Sequence, residues 1–151
     1  MIHKNAKDRP GDYHAGKWNG LGGKLEADES ARDAAVREVF EESGILLESR
    51  DLKPLGLLHF PNFKAHKSED WLATIWVADL DPSIKERTLS GPEGALHWVP
   101  EGDLCNLNMW AGDSEFLPWV MRREPFQGTI WYQGETVIRA EILGFGGPLG
   151  S

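Results

Sequence analysis

Glu38, Glu41 and Glu42 fall within a stretch that reads as a helix. Glu38 and Glu42 are i and i+4, and Glu38 and Glu41 are i and i+3, so all three carboxylates project from one stripe. Like charges placed this way repel by about a few tenths of a kcal/mol per neighbouring pair. A divalent cation offsets that repulsion, and hard oxygen ligands of this kind suit Mg²⁺, with Mn²⁺ as a substitute. Arg37 follows Asp33 by four residues and precedes Glu41 by four, so it can bridge the acidic stripe internally. A solvated helix face is the competing account of any acidic stripe seen alone. The glycines before the helix weigh against it. Gly22-Gly23 allows a backbone to approach the carboxylates closely, and Gly22 can offer a carbonyl to the same ion. The segment Gly23 to Ile45 holds seven acidic and three basic residues, which is half of the chain's net charge of −8.

These groups need elements to position them. A helix is expected from Ser30 to Ser43. Ser30 with Asp33 resembles a capping box, with Asp in place of the usual Glu. Ala31, Ala34, Ala35, Val39 and Phe40 give a small apolar face at helical spacing, and Gly44 sits where a C-terminal glycine belongs. Asn5 to Lys17 reads as a loop, and Trp18 to Lys24 as a tight glycine-rich segment. Leu52 to Phe60 and Trp71 to Leu80 read as strands, joined by a polar loop with Pro61, Asn62 and Lys64 to Asp70. Leu96 to Val99 is a short strand stopped by Pro100. A second helix is expected from Ser114 to Arg123, with Pro118 in its first turn or kinking it. Thr129 to Gln133 and Thr136 to Leu143 flank Gly134 as a hairpin. The mixture lacks regular βαβ alternation, which points to α+β, with helices packed on a mixed sheet.

Composition bounds the rest. The chain has 151 residues, 40% hydrophobic and 26% charged, one domain's worth of an ordinary globular protein. No repeat, low-complexity tract or linker interrupts it, so residues 1–146 are expected to form a single domain. Gly147 to Ser151 resembles the scar of a tag-removing protease and is set aside. A single cysteine, Cys105, excludes an internal disulfide framework and a cysteine-built zinc cage. Apolar runs are too short for a membrane span, and no secretory signal opens the chain, so the expected location is cytoplasmic with no membrane partner. The charge of −8 disfavours a nucleic-acid polymer as partner. An acidic chain still binds phosphates where divalent metals bridge the two. Seven tryptophans, at 18, 71, 76, 98, 110, 119 and 131, read mostly as packing residues, with a minority able to stack on a flat ligand.

The segment resembles the Nudix box, Gx5Ex7REUxEExGU, where U is a bulky aliphatic residue. Gly23, Glu29, Arg37, Glu38, Val39, Glu41, Glu42, Gly44 and Ile45 fill every specified position. Its seven fixed residues, at about 7% usage each, would match by chance about once in 10⁸ positions, so the signal is specific. The resemblance implies an α/β/α sandwich around a mixed sheet, with helices on both faces and the box as a loop–helix–loop. It also implies hydrolysis of a nucleoside diphosphate linked to another moiety, with Mg²⁺ stabilising charge as water attacks phosphorus. By position, Glu38, Glu41, Glu42 and the Gly22 carbonyl would hold metal. Arg37 and Glu29 would be the pair that orients the helix.

The resemblance extends from about Met1 to about Leu143, to the oxidised-purine nucleoside triphosphatases of the MutT-like, 8-oxo-dGTP diphosphatase type. It is carried by Trp18-Asn19-Gly20-Leu21-Gly22-Gly23-Lys24, by Leu107 to Ser114 and by Phe126-Gln127-Gly128. It implies that Asn19 hydrogen-bonds the purine edge, that Trp110 stacks on the base and that Asp113 is the second acid of a base-reading Asp pair. Lys24 falls in the approach segment to the substrate. Tyr13 and Phe60 match pocket aromatics, Lys4 a pocket lysine, and Glu93 a downstream glutamate near the metals. The first acid of the pair is Gly112 here, which puts the breadth of base recognition in question. The family also has a strand before the one ending near His3, for which the chain supplies no residues, so the sheet is expected to lack its first strand. The reading is a pyrophosphohydrolase that cleaves an oxidised purine nucleoside triphosphate to the monophosphate and pyrophosphate. Its rivals are the same chemistry on a dinucleoside polyphosphate or nucleotide sugar, and a non-catalytic nucleotide-binding module.

Overall fold

The computed structural model describes residues 2–4, 17–64, 68–87 and 94–145. The loop expected at 5–17 and the scar-like 147–151 fall almost wholly outside these. The chain packs as two compact units, one made of Met1–Leu52 with Ala78–Met109, the other of Lys53–Val77 with Trp110–Ser151.

The first unit holds a small antiparallel sheet and a helix. Strand β1 (Ile2–Lys4) lies between β2 (Trp18–Asn19) and β5 (Gly94–Leu96). Its register sets Ile2 against both Asn19 and Leu96. The short strand expected at Leu96–Val99 therefore ends at its first residue. Helix α1 runs Ala31–Ser43, and the sequence explains both ends. The Ser30 hydroxyl accepts the Asp33 amide at 3.0 Å, and Gly44 adopts the left-handed conformation (φ 75°) that closes the helix onto the Phe40 carbonyl. The apolar face is narrower than the pattern suggested. Ala34 is buried, but Phe40 is half exposed, at 52%. Beyond the helix, Ile45 and Leu47 alternate with exposed neighbours and are buried, as is Leu52 after the next turn.

The second unit is a four-stranded mixed sheet in the order β4-β3-β6-β7 with one helix. Strands β3 (Lys53–Lys64) and β4 (Glu69–Val77) are antiparallel, β3 and β6 (Phe126–Gln133) parallel, and β6 and β7 (Thr136–Gly144) antiparallel. A two-residue turn at Gly134-Glu135 closes the hairpin, with Gly134 at φ 62°. The strand β3 is longer than expected, because Pro61 and Asn62 continue it through an irregularity between Phe60 and Lys64 instead of leaving it. Asn62 sits at φ 50°, its amide donating to Asp70 at 2.7 Å, so a side-chain acceptor replaces the ladder partner lost there. Helix α2 (Asp113–Arg122) contains Pro118 in its interior.

Leu55, Leu58, Phe126 and Ile130 form this unit's core, with Phe116, Trp119 and Val120 of α2 packed against them. Leu58→Ala should cost about 2–5 kcal/mol, because Leu58 is 1% exposed and its cavity cannot refill. Leu72→Ala, at 69% exposed on the edge strand, should shift stability by about 0.5 kcal/mol or less. Urea denaturation of both variants measures the contrast.

Candidate active site

The helix α1 and the turns before it are tied together by one side chain. Arg37 offers five N–H donors in a planar fork, and all five are used. Nε donates to Glu29 Oε2 at 2.7 Å and Nη2 to Glu29 Oε1 at 2.9 Å, a bidentate pair. Nη2 also donates to the Lys24 carbonyl at 3.0 Å. Nη1 donates to Glu38 at 2.8 Å and to Glu41 at 3.2 Å. Glu29 Oε1 further accepts the Glu26 amide at 3.0 Å. The consequence for protonation runs both ways. The Arg37 hydrogen bonds, with the Glu26 amide, hold the Glu29 carboxyl at about 2, and the Glu29 and Glu38 carboxylates drive the guanidinium further above its already high range. Arg37 thus neutralises part of the acidic stripe and fixes the entry turn to the helix.

The other carboxylate contacts come from the glycine pair. The Gly22 amide donates to Glu42 Oε1 at 3.2 Å. A side-chain carbon built on Gly23 would run into the Glu38 carboxylate, which would have to move from its place against this backbone. The three glutamates differ in exposure. Glu42 is buried at 5%, the Glu38 side chain is 16% exposed and Glu41 54%. Burying a carboxylate is costly unless opposite charge or donors face it. Among the described residues, no three carboxylate, imidazole or thiol groups converge as a ready-made metal cage. The donor set nonetheless fits a hard divalent cation, with carboxylate oxygens on one helix stripe and a backbone segment pressed against two of them.

The second unit carries an aromatic cluster. Phe63 is its hub, with ring centroids 5.0 Å from Trp71, 5.6 Å from Phe60, 5.6 Å from Trp110 and 5.6 Å from Tyr132. Trp110 meets Tyr132 edge to face at 5.8 Å and is itself buried. Asp113 opens α2 and Gly112 precedes it. The Gly112 amide donates to the Tyr132 hydroxyl at 2.7 Å.

The sequence groups Glu29, Arg37, Glu38, Glu41, Glu42 and Gly22 as metal-holding and helix-orienting residues and Lys24 with the substrate contacts, and in the first unit they adjoin one another. Lys24 enters this network through its carbonyl. Trp110, Asp113 and Phe60 belong to the second unit. Tyr13 and Glu93 lie outside the described residues. Lys4 and Asn19 are strand positions in β1 and β2 whose side chains also lie outside them. Tyr132, Phe63 and Trp71 were not singled out. Tyr132 could have been found from strand alternation with Ile130. Phe63 could not, because the irregularity that turns it inward reads as a loop.

The NUDIX domain family matches residues 4–120. The chain belongs to the Nudix family. Among its relatives is an uncharacterized Nudix hydrolase, YvcI, of Bacillus subtilis (strain 168). It is 32% identical over 121 residues, which are 80% of this chain and 75% of that one. The oxidized purine nucleoside triphosphate hydrolase of Danio rerio is 29% identical over 83% of this chain and 76% of its own. The one from Mus musculus is 27% identical over 87% and 80%. A crystal structure of the mutator MutT protein from Bacillus halodurans superposes with a TM-score of 0.72 at 23% identity, covering 93% of this chain and 86% of that one. The fold is therefore the α+β Nudix fold, and the chain is a Nudix hydrolase acting on phosphoanhydride bonds. The family uses divalent metal ions and acts on small nucleotide substrates. Among the described residues, no helix is long and apolar enough to cross a membrane.

The depressed Glu29 carboxyl makes a pH prediction. Its contribution to stability is complete above the ordinary value of 4.5 and is lost as pH falls through about 2. The stability gap between the wild type and Glu29→Gln should be constant from about pH 8 to 5 and shrink as pH drops from about 4.5 toward 2. Thermal melts across that range read it directly. A gap that closes between pH 8 and 5 would contradict the assignment.

Proposed function

We propose that this Nudix hydrolase is a Mg²⁺-dependent pyrophosphohydrolase of oxidised purine nucleoside triphosphates, of the 8-oxo-dGTP diphosphatase type, with Mn²⁺ able to substitute. We also take residues 1–146 as one functional domain, since the family match draws on segments of both units. The observation that carries the reading is the complete carboxylate set of α1, with Glu38 and Glu41 held by the Arg37 fork and Glu42 by the Gly22 amide. A protein that only bound nucleotides would have no need of all three glutamates beside a glycine pair.

In this reading Glu38, Glu41, Glu42 and the Gly22 carbonyl would hold the metal. Bound there, it would neutralise the triphosphate's charge. The chain's own residues do the rest. Arg37 and Glu29 keep α1 and its entry turn rigid, so the carboxylates need no reorganisation when substrate arrives. A carboxylate of the trio takes a proton from the attacking water. The new phosphorus–oxygen bond forms as the anhydride bond breaks, releasing the monophosphate and pyrophosphate. On the family resemblance, Trp110 would supply a face for the base and Asp113 an acceptor for its edge, with Phe60 and Tyr13 as further aromatics. On the same resemblance, Asn19, Lys4 and Lys24 would contact the substrate, and Glu93 would be a further metal-side carboxylate. The relatives from Danio rerio and Mus musculus, named as hydrolases of oxidised purine nucleoside triphosphates, support the choice of substrate.

The test is pyrophosphate release from dGTP, 8-oxo-dGTP, 2-hydroxy-dATP, ADP-ribose and a diadenosine polyphosphate, with Mg²⁺ and again after chelation. An oxidised purine triphosphate should be the preferred substrate. Glu38→Gln should lower kcat by about 10²-fold or more, the scale of losing one preorganised charge-stabilising group. Turnover confined to ADP-ribose or the dinucleoside polyphosphate would overturn the substrate assignment while leaving the glutamate chemistry in place.

A further inference from the structure

The resemblance expects an acid at position 112, and the structure shows what occupies its space. The Tyr132 hydroxyl accepts the Gly112 amide at 2.7 Å. A side-chain carbon built at Gly112 would stand 2.5 Å from that hydroxyl oxygen, 3.1 Å from Tyr132 Cζ and 3.0 Å from Ile130 Cγ2. An aspartate at 112 and the phenol of Tyr132 are therefore alternatives, and neither can be added to the other. Tyr132 is also not free to swing away. Its ring is wedged between Trp110 at 5.8 Å and Phe63 at 5.6 Å, with Phe60 at 6.3 Å.

We propose that Tyr132 is a specificity-determining residue of this enzyme, its hydroxyl replacing the first acid of the base-reading pair and giving that pair a fixed hydrogen-bonding polarity. This rests on the proposed purine substrate. Two neighbouring carboxylates that share one proton can carry it on either side, so the pair can present donor and acceptor in either order. A phenol beside a carboxylate cannot. Tyr132 keeps its proton, because burial and the nearby Asp113 charge push its phenol up to about 12 despite the Gly112 amide. With its oxygen already accepting from Gly112, the hydroxyl has its proton to give, and Asp113 can only accept. The edges of purines come in two polarities. A 6-oxopurine offers an acceptor at C6 beside an N1–H donor, and a 6-aminopurine offers a donor at C6 beside an N1 acceptor. A reader of fixed polarity admits one and leaves buried polar groups unpaired with the other. Such a mismatch is far more discriminating than a missing methylene.

The experiment compares the wild type with Tyr132→Phe, which removes the hydroxyl and keeps the ring. Two readouts are taken: kcat/KM for 8-oxo-dGTP and 8-oxo-dATP, and binding of GMP and AMP followed by tryptophan fluorescence. The wild type should prefer one edge by about 10-fold or more, and Tyr132→Phe should bring the ratio to within about 3-fold. A purely structural hydroxyl would lower the melting temperature and both kcat/KM values together, leaving the ratio unchanged, and that result overturns the proposal. If neither triphosphate is hydrolysed but the variant still loses discrimination between the monophosphates, the substrate reading falls and the role of Tyr132 stands. Loss of both hydrolysis and discrimination in the wild type overturns both.

Discussion

The Arg37 guanidinium is the constraint on which the candidate site depends. Five donors meet five acceptors drawn from Glu29, Lys24, Glu38 and Glu41. The acceptors are spread along the loop–helix segment, at Lys24, Glu29, Glu38 and Glu41, so satisfying the fork fixes the course of the chain from Lys24 into α1. The same contacts lower the repulsion among carboxylates that would otherwise push the helix stripe apart. A lysine could not substitute, having three donors on a point charge and no planar fork. The glycine pair completes the arrangement from the other side, by bringing the Gly22 amide onto Glu42 and leaving no side chain between Gly23 and Glu38.

The second unit solves a different problem. Its mixed sheet buries a small aliphatic and aromatic core, and its rings extend from that core through Tyr132, Phe63 and Trp110. Here Gly112 and Tyr132 are matched to each other. The Tyr132 hydroxyl accepts the Gly112 amide and fills the space that a side chain at 112 would need.

Much of this was legible in the sequence. Helix α1 announced both its ends, through Ser30 and Gly44, because capping is local chemistry. The glutamate stripe and its arginine were legible for the same reason, since spacing on a helix fixes what can touch. The mixed α+β character followed from the absence of regular alternation. What escaped depends on contacts distant in sequence. Nothing near Pro61 and Asn62 says that Asp70 will accept the Asn62 amide and so carry β3 on to Lys64. Nothing near Gly112 says that Tyr132, twenty residues later, will occupy its side-chain space. The apolar face of α1 was overestimated at Phe40, because helical spacing says which residues share a face but not how far the covering surface extends.

Under the proposed function, α1 and its preceding glycines form a divalent-cation site in which Arg37 sets Glu38 and Glu41 and the Gly22 amide sets Glu42. Mn²⁺ binding followed by electron paramagnetic resonance, without nucleotide, tests it most directly. The wild type should bind Mn²⁺, and Glu42→Gln should weaken binding by about 10-fold or more, since losing even an outer-shell partner of a metal site costs about 10–100-fold. Arg37→Lys should weaken it as well, although Arg37 is not a ligand. Equal Mn²⁺ affinity in all three proteins would place the cation elsewhere and contradict the account.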